Sequence, residues 1–285
     1  MADRPRAMLP TADRTLVIGI LNVTPDSFSD GGRFLAADAA IAHGLSLARN
    51  GADLVDVGGE STRPGATPVT REEELRRVID VVRALSEAGV AVSIDTMHAQ
   101  VAQAAVEAGA VLVNDVSGAL ADPDMAATVA ALGVDMVAMH WRASSDRMDA
   151  LDVYDDVVES VRDELAARMA VLTDAGVAPE RIILDPGLGF AKVTDSNWPL
   201  LARMREWAGD ARVLVGASRK RFVGAAIARD GAIAPEPEAR DHATTAITAL
   251  AAAAGVWGVR VHDPAAARDA IAVVSAWQAG AKTRP

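Results

Sequence analysis

The sequence predicts an α/β protein folded as a single (β/α)8 barrel, on three observations. Eight short apolar, β-branched runs recur along the 285 residues, segments with helical spacing separate them, and each run delivers a polar or charged residue at or just beyond its carboxyl end. Runs that are apolar at nearly every position mark strands covered on both faces. Strands alternating with helices imply parallel pairing through right-handed crossovers. An open doubly wound sheet satisfies the same alternation, but eight units in one chain favour closure into a TIM barrel.

In order, the apolar runs cover residues 16–23, 54–58, 90–95, 111–116, 136–140, 182–185, 213–216 and 257–261. Helical spacing is clear at 36–50, 71–88, 101–108 and 153–175. Gly51, Gly89, Gly109, Gly133 and Gly176 each stand just before the next strand, where a left-handed residue closes a helix. The Ala-rich stretch 243–254 reads as a buried helix leading into the last strand and as a surface for a second copy of the chain, because small residues let helices approach. Two connections, 22–34 and 59–70, are rich in Gly, Ser, Pro and charge, and long βα loops in such folds tend to be functional. The acidic, Pro-rich segment 229–239 reads as a surface excursion. No composition break divides the chain, so the barrel is placed at 15–278, after an extension at 1–14 and before a tail at 279–285.

Composition limits the function. A net charge of −11 and a pI near 4.9 argue against a broad nucleic-acid surface, which needs clustered cations. The absence of cysteine excludes disulfides, Cys-ligated zinc and thiol nucleophiles, and suits a reducing cytoplasm. The N-terminal residues carry Asp3, Asp13 and two prolines where a signal peptide needs an apolar stretch. The longest uncharged run, 243–259, falls short of the roughly 20 apolar residues a bilayer requires, so no membrane segment is expected. Walker A, GxGxxG, HExxH and GxSxG patterns are absent.

In a (β/α)8 barrel the active site lies at the carboxyl ends of the strands. The residues there are Asn22, then Glu60, Thr62 and Arg63, then Asp95, then Asn114 and Asp115, then His140, then Asp185, then Ser218, Arg219 and Lys220, and finally Arg260, His262 and Asp263. Arg63, Lys220, Arg260 and His262 are donors suited to phosphate. Asp95, Asn114 and Asp185 are short groups that suit a flat heterocycle with adjacent N–H donors. Together they suggest a nucleotide-like or pterin-like diphosphate. Asn22 and Asp30 offer oxygens to Mg2+, which commonly binds through few protein oxygens plus substrate phosphates. Gly187 and Gly189 let a ligand approach the backbone. Asp115 is expected to brace a loop, His140 to be a satisfied rim histidine, and one of Arg219, Lys220 and Arg221 to form only a structural ion pair. His43, His98 and His242 are expected in helical segments with no chemical role.

At these positions the sequence resembles the dihydropteroate synthases. The strings are ILNVTPDSFSDGG at 20–32, DVGGESTRPG at 56–65, SIDT at 93–96, VNDVSG at 113–118, MH at 139–140, DPGLGFAK at 185–192, GASRKRF at 216–222 and RVH at 260–262. The resemblance spans about residues 15–278 and implies condensation of 7,8-dihydropterin-6-ylmethyl diphosphate with 4-aminobenzoate. It implies that Asp95, Asn114, Asp185 and Lys220 hold the pterin, with Met139 lining the pocket, and that Asn22, Arg260 and His262 meet the diphosphate with Mg2+. It implies an aminobenzoate pocket of Thr62, Arg63, Pro64, Gly189, Phe190, Lys220 and Arg221, and a loop carrying Phe28 and Asp30 that closes over the site, with Asp30 a second oxygen on the metal side. Asp95, Asp185, Lys220, Arg260 and His262 are the expected catalytic residues. A homodimer, a cytoplasmic location and competition by sulfonamides follow from the same resemblance. Two rivals differ in what they require. A corrinoid-dependent methyltransferase would need neither the STRPG loop nor Lys220, and a non-catalytic paralogue would be expected to lose loop and cation residues; this chain keeps both sets.

Overall fold

The computed structural model describes residues 8–24, 33–60, 69–144, 147–193, 195–228 and 234–282. Eight strands, β1 (Leu16–Asn22), β2 (Leu54–Gly58), β3 (Val92–Asp95), β4 (Leu112–Asp115), β5 (Asp135–Met139), β6 (Ile182–Asp185), β7 (Arg212–Val215) and β8 (Gly258–Val261), follow one another around a closed barrel. All are parallel, and β1 pairs with both β2 and β8, so closure is complete. The open sheet is thereby excluded. The helices are α1 (Arg33–Arg49), α2 (Arg71–Glu87), α3 (Ala99–Glu107), α4 (Met125–Leu132), α5 (Val157–Asp174), α6 (Asn197–Ala202), α7 (Met204–Ala208), α8 (Arg221–Ile227), α9 (Asp241–Ala253) and α10 (Pro264–Lys282).

Strand positions agree with the apolar runs to within two residues at either end. The helix expected over 153–175 starts later, at Val157, for a local reason. Asp156 is extended (φ −133°) and its carboxylate accepts the N–H groups of Val158 and Glu159, which fixes it as the N-cap. Thr70 does the same for α2 by accepting from the Glu73 N–H, and Glu72, Glu73 and Glu74 place negative charge at the positive end of that helix. At Gly51, Gly89, Gly109, Gly133 and Gly176 the backbone has φ of 101°, 82°, 119°, 62° and 102°, the left-handed turn that ends a helix. The last helix runs through Lys282, past Gln278.

Two apolar layers follow from the two-residue period of a strand. Leu16, Ile18, Leu54, Leu112, Val137, Ile183 and Leu214 fill the lower barrel, with Leu9 packed beneath them. Their neighbours, among them Val17, Val55, Ile94, Val113, Met136, Leu184, Val213 and Val259, face outward into the layer shared with the helices. Arg14 ties the chain below the barrel to Asp53 at 2.8 Å.

Candidate active site

Counting upward by twos from the lower core names the inner rim. Ile18 leads to Asn22, Leu54 to Asp56 and Gly58, Leu112 to Asn114, Val137 to Met139, Ile183 to Asp185, and Leu214 to Gly216. On β8, a side chain at Gly258 would strike Ile18 and Leu214, so this position also points inward, and Arg260 and His262 continue its face. Each expected polar group on this face therefore owes its direction to an apolar partner two or four residues below.

The groups do meet. Arg260 donates from Nε to Asp56 Oδ2 and from Nη2 to Asp95 Oδ2, both at 2.6 Å. Asp56 Oδ2 also accepts from Asn114 Nδ2 at 3.0 Å. Three strands and the closing strand β8 are thus tied across the barrel mouth. Asp185 accepts the Gly187 N–H at 2.7 Å. A methyl group placed on Gly216 would lie 3.6 Å from Asp185 Oδ2, 3.9 Å from Lys220 Nζ and 4.0 Å from the Cβ of Arg260, so two charges and the stem of a third side chain crowd one bare glycine. Lys220 Nζ donates to the Leu188 carbonyl and sits 4.8 Å over the Phe190 ring. Gly189, at φ 76°, leaves room for the Lys220 stem, whose Cδ would lie 3.3 Å from any Cβ there. Ser218 Oγ meets His262 Nδ1 at 2.9 Å.

Burial sets the charge states. It pushes the Lys220 ammonium down to about 8, and Asp185 beside it works in the opposite direction. Asp185 is itself raised, because burial outweighs the help of Lys220 and the Gly187 N–H. Asp95 is also raised by burial, Arg260 opposing and Asp56 reinforcing the shift. For Arg260 burial alone would lower the value, but Asp56 and Asp95 more than offset it. Removing the guanidinium would strand two carboxylates in a dry rim, which is the costly way to break this bridge.

Other expected residues fall elsewhere. Asp115 faces outward and accepts from the Ser117 N–H, the Ser117 hydroxyl and the Ala119 N–H, bracing the loop after β4. His140 also lies behind the barrel wall, against Lys192 and Glu164. Arg219 makes a bidentate pair with Asp241 at 2.7 Å, the structural ion pair expected among the three neighbouring cations. Arg221 Nη2 contacts Asp149 at 2.8 Å, so it already holds a carboxylate. His98 precedes α3 rather than lying within a helix, and pairs with buried Glu74 at 2.7 Å. Glu60, Glu74 and His98 keep potential ligand atoms within 4.8 Å of one another, and Glu74 is near enough to Asp95 to help raise it. Phe28, Asp30, Thr62, Arg63 and Pro64 lie outside the described residues, as do residues 229–233. Asp56 was not among the expected site residues, yet it is fully buried and joins Arg260 to Asn114. Its signal was available: an acid inside an apolar run, two residues above inward-facing Leu54.

A cleft of about 710 Å3 opens at the opposite end of the barrel, lined by Arg14, Asp135, Arg212 and Trp257 among others. Its cations are already engaged, Arg14 with Asp53, Arg212 with Asp135 and Arg205 with the carbonyls of Gly209 and Ala254, so convergent chemistry rather than volume locates the site.

Comparison with known proteins agrees with this geometry. The pterin binding enzyme family matches residues 18–262. A dihydropteroate synthase of Mycobacterium leprae is 53% identical over 264 residues, covering 92% of this chain and 93% of the relative. The Xanthomonas albilineans dihydropteroate synthase solved with 4-aminobenzoic acid has a TM-score of 0.85 at 43% identity, covering 95% of each chain. The same enzyme in complex with 7,8-dihydropteroate gives 0.83 at 42%, covering 96% of this chain and 97% of that one. The chain belongs to the pterin binding enzymes and, within them, to the dihydropteroate synthases.

Proposed function

We infer that the inner rim binds 7,8-dihydropterin-6-ylmethyl diphosphate and 4-aminobenzoate and joins them as 7,8-dihydropteroate. The carrying observation is the cluster of Asp56, Asp95, Asn114, Asp185, Lys220 and Arg260 on one face, in which acids suited to a heterocycle adjoin cations suited to a diphosphate. Solved relatives that hold 4-aminobenzoic acid or 7,8-dihydropteroate support the choice of ligands.

The residues suit a reaction in which the leaving group departs first. The bond between the methylene carbon and the diphosphate oxygen breaks, and its electron pair goes with diphosphate. The positive charge left behind spreads into the pterin ring. Asp95 and Asp185, held as poor carboxylates by burial, gain more from a cation than from the neutral ground state, which is differential binding of the transition state. Arg260 spends Nε and Nη2 on Asp56 and Asp95, and its Nη1 N–H groups remain to take charge growing on the diphosphate. His262, oriented by Ser218, is assigned beside it. The aniline lone pair then forms the C–N bond, and the resulting anilinium, a strong acid, gives its proton to water. An arylamine is neutral at pH 7, so no general base is assigned. Lys220 stands where both substrates meet, over Phe190 and beside Asp185 and Gly189. We assign the amine partner's pocket to Gly189, Phe190, Lys220 and Arg221 with Thr62, Arg63 and Pro64, and the pterin pocket to Asn114 and Met139 as well.

Mg2+ fits as a passenger of the diphosphate. Asn22, at the end of β1, would contribute one neutral oxygen, and Asp30 is the second assigned ligand. When bound, the ion would neutralise departing charge. The assigned domain is 15–278, with Phe28 and Asp30 on a closing loop. We place the protein in the cytoplasm, since a pterin diphosphate is too polar to cross a bilayer unaided; no helix among the described residues is long and apolar enough to span one. We also assign a homodimer through α9 and α10, which pack together and leave Leu250, Val273 and Trp277 at 72%, 66% and 81% exposure.

The deciding experiment measures diphosphate release from the two substrates, with and without Mg2+. Release matched one for one by dihydropteroate is expected, with sulfonamides competing against aminobenzoate. Tight pterin binding without turnover would leave only a binding scaffold.

A further inference from the structure

Behind the rim lies a charged group that the reaction above does not use. Lys192 is fully buried, against His140, the residue that follows inward-facing Met139 and points behind the barrel wall. An ammonium has three N–H donors, and three acceptors surround this one: His140 Nδ1 at 2.9 Å, the Gly187 carbonyl at 3.1 Å and the Phe190 carbonyl at 2.9 Å. A buried charge persists only when such satisfaction is complete. With two of the acceptors carbonyls, the consistent tautomer of His140 accepts at Nδ1 and carries its proton on Nε2. That nitrogen approaches Glu164 Oε2 to 3.0 Å, so the carboxylate faces the N–H dipole of a neutral ring, without the alignment of a good hydrogen bond. Glu164 is held in turn by Arg142 at 2.6 Å.

The two carbonyls belong to the segment 186–191, and that segment builds one wall of the site. Three of its residues, Gly187, Gly189 and Ala191, have φ of 66°, 76° and 49°, so it follows no strand or helix. Its conformation depends on what grips it. On the site side, the Gly187 N–H meets Asp185, the Leu188 carbonyl takes Lys220, and the Phe190 ring lies under the Lys220 ammonium. On the outer side, Lys192 takes the carbonyls of Gly187 and Phe190, Tyr154 donates to the Ala191 carbonyl at 3.0 Å, and Asn197 accepts the Gly189 N–H at 2.7 Å. Carbonyls gripped from outside alternate with groups offered to the inside.

We propose that Lys192 is a positioning residue for the reaction: its buried ammonium, braced through His140 by Glu164, fixes segment 186–191 so that Leu188 and Phe190 hold Lys220 where aminobenzoate meets the pterin. The proposal rests on the dihydropteroate synthase reading, and it adds a residue that touches neither substrate. Because the wall carries Gly189 and Phe190, loosening it weakens aminobenzoate capture more than pterin capture, which it touches only through Asp185 and Lys220 and which also draws on Asp95, Asn114 and Arg260 of β3, β4 and β8.

The ammonium's environment makes the device sensitive to pH. Burial lowers Lys192 to about 7; Asp185 and Glu164 raise it, while Lys220 and Arg142 lower it further, and His140 faces it as a neutral base lowered to about 4. Loss of the proton removes one donor from a three-acceptor site.

The test compares the wild type with Lys192→Met, which keeps the stem and deletes the donors, and with Lys192→Ala supplemented with ethylammonium. In Lys192→Met the KM for aminobenzoate is expected to rise at least about tenfold while the dissociation constant for pterin diphosphate stays within about twofold. Ethylammonium is expected to restore part of the Lys192→Ala rate, and ethanol of similar size is not. Glu164→Gln, at a half-exposed position, provides a variant that does not empty the buried site; its alkaline limb of kcat/KM for aminobenzoate is expected at lower pH than in the wild type. Equal losses for both substrates, no rescue by the amine, or an unmoved alkaline limb would each overturn the proposal. If the Met variant fails to fold, the rescue and the Glu164→Gln profile decide it. A wild type that releases no diphosphate would instead defeat the underlying reading of the reaction.

Discussion

Arg260 is where the charges of the site are balanced, and single-residue predictions begin there. Its planar fork reaches Asp56 and Asp95 at once, which a lysine ammonium cannot imitate in the same geometry. Arg260→Lys is therefore expected to reduce kcat/KM about 10²–10³-fold, the scale of losing a preorganised charged donor, as measured by coupled diphosphate release. A loss under threefold would mean that charge alone suffices. Asp56→Ala is expected to act through Arg260 and Asn114, weakening pterin diphosphate binding although Asp56 needs no contact with the ligand. At this scale the sequence was partly legible. Strand-end residues could be named because chains leave the core as polar groups. Which of two adjacent ends faces the axis is set by its parity with the inward residues of the lower barrel, and a run that is apolar at every position does not disclose that parity. Asp115 and His140 sit one residue from inward Asn114 and Met139 and point the other way. Asp56 escaped because it lies inside a run, not at its end.

Between elements, glycines separate two kinds of constraint. Those closing helices were readable from the sequence, since a left-handed residue before a strand has one common purpose. Gly133 (φ 62°) ends α4 at the base of the barrel, and a Cβ there would meet only the flexible Arg181 guanidinium at 3.2 Å. Gly133→Ala is expected to cost about 1–2 kcal/mol of stability, the penalty for an L side chain in that region, with kcat unchanged. Gly187 also has positive φ (66°), but a Cβ there would lie 2.2 Å from the His140 carbonyl. Backbone cannot step aside as a side chain can, so Gly187→Ala should shift the β5 and β6 exits and lower both the melting temperature and turnover. Chemical denaturation paired with turnover separates the two glycines; equal effects would deny the rim glycine its special place. The paired helices α9 and α10 yield a third measurement at this scale. Trp277→Glu is expected to convert a dimer to monomer in analytical ultracentrifugation with the monomer still folded, and a wild type that sediments as a monomer would remove the assigned interface.

For the whole molecule, closure of the barrel is the step that converts eight separate strand ends into one site, and it was inferable because each unit repeated the same run, exit and helix. What stayed hidden were contacts set by three-dimensional neighbours far apart in sequence, such as Arg260 with Asp56 and Lys192 with His140. Gathering those charges out of water has a thermodynamic cost that the fold bears at neutral pH. Asp95 shows it most directly, its pKa raised chiefly by burial. An acid with a raised native pKa binds more protons folded than unfolded, so its contribution to stability is present below the unfolded carboxylate value of about 4 and lost as pH rises towards the native value. Asp95→Asn keeps the shape and an acceptor for Arg260 but cannot ionise. Its melting temperature is therefore expected to match that of the wild type near pH 4 and to exceed it increasingly up to neutrality, by a few degrees for each 1–2 kcal/mol recovered. The same substitution should depress kcat sharply, because the group that costs stability in the free enzyme is the one we assign to meet the cation. A variant that loses melting temperature in step with pH, or keeps its turnover, would show that the carboxylate is held for architecture and not for charge.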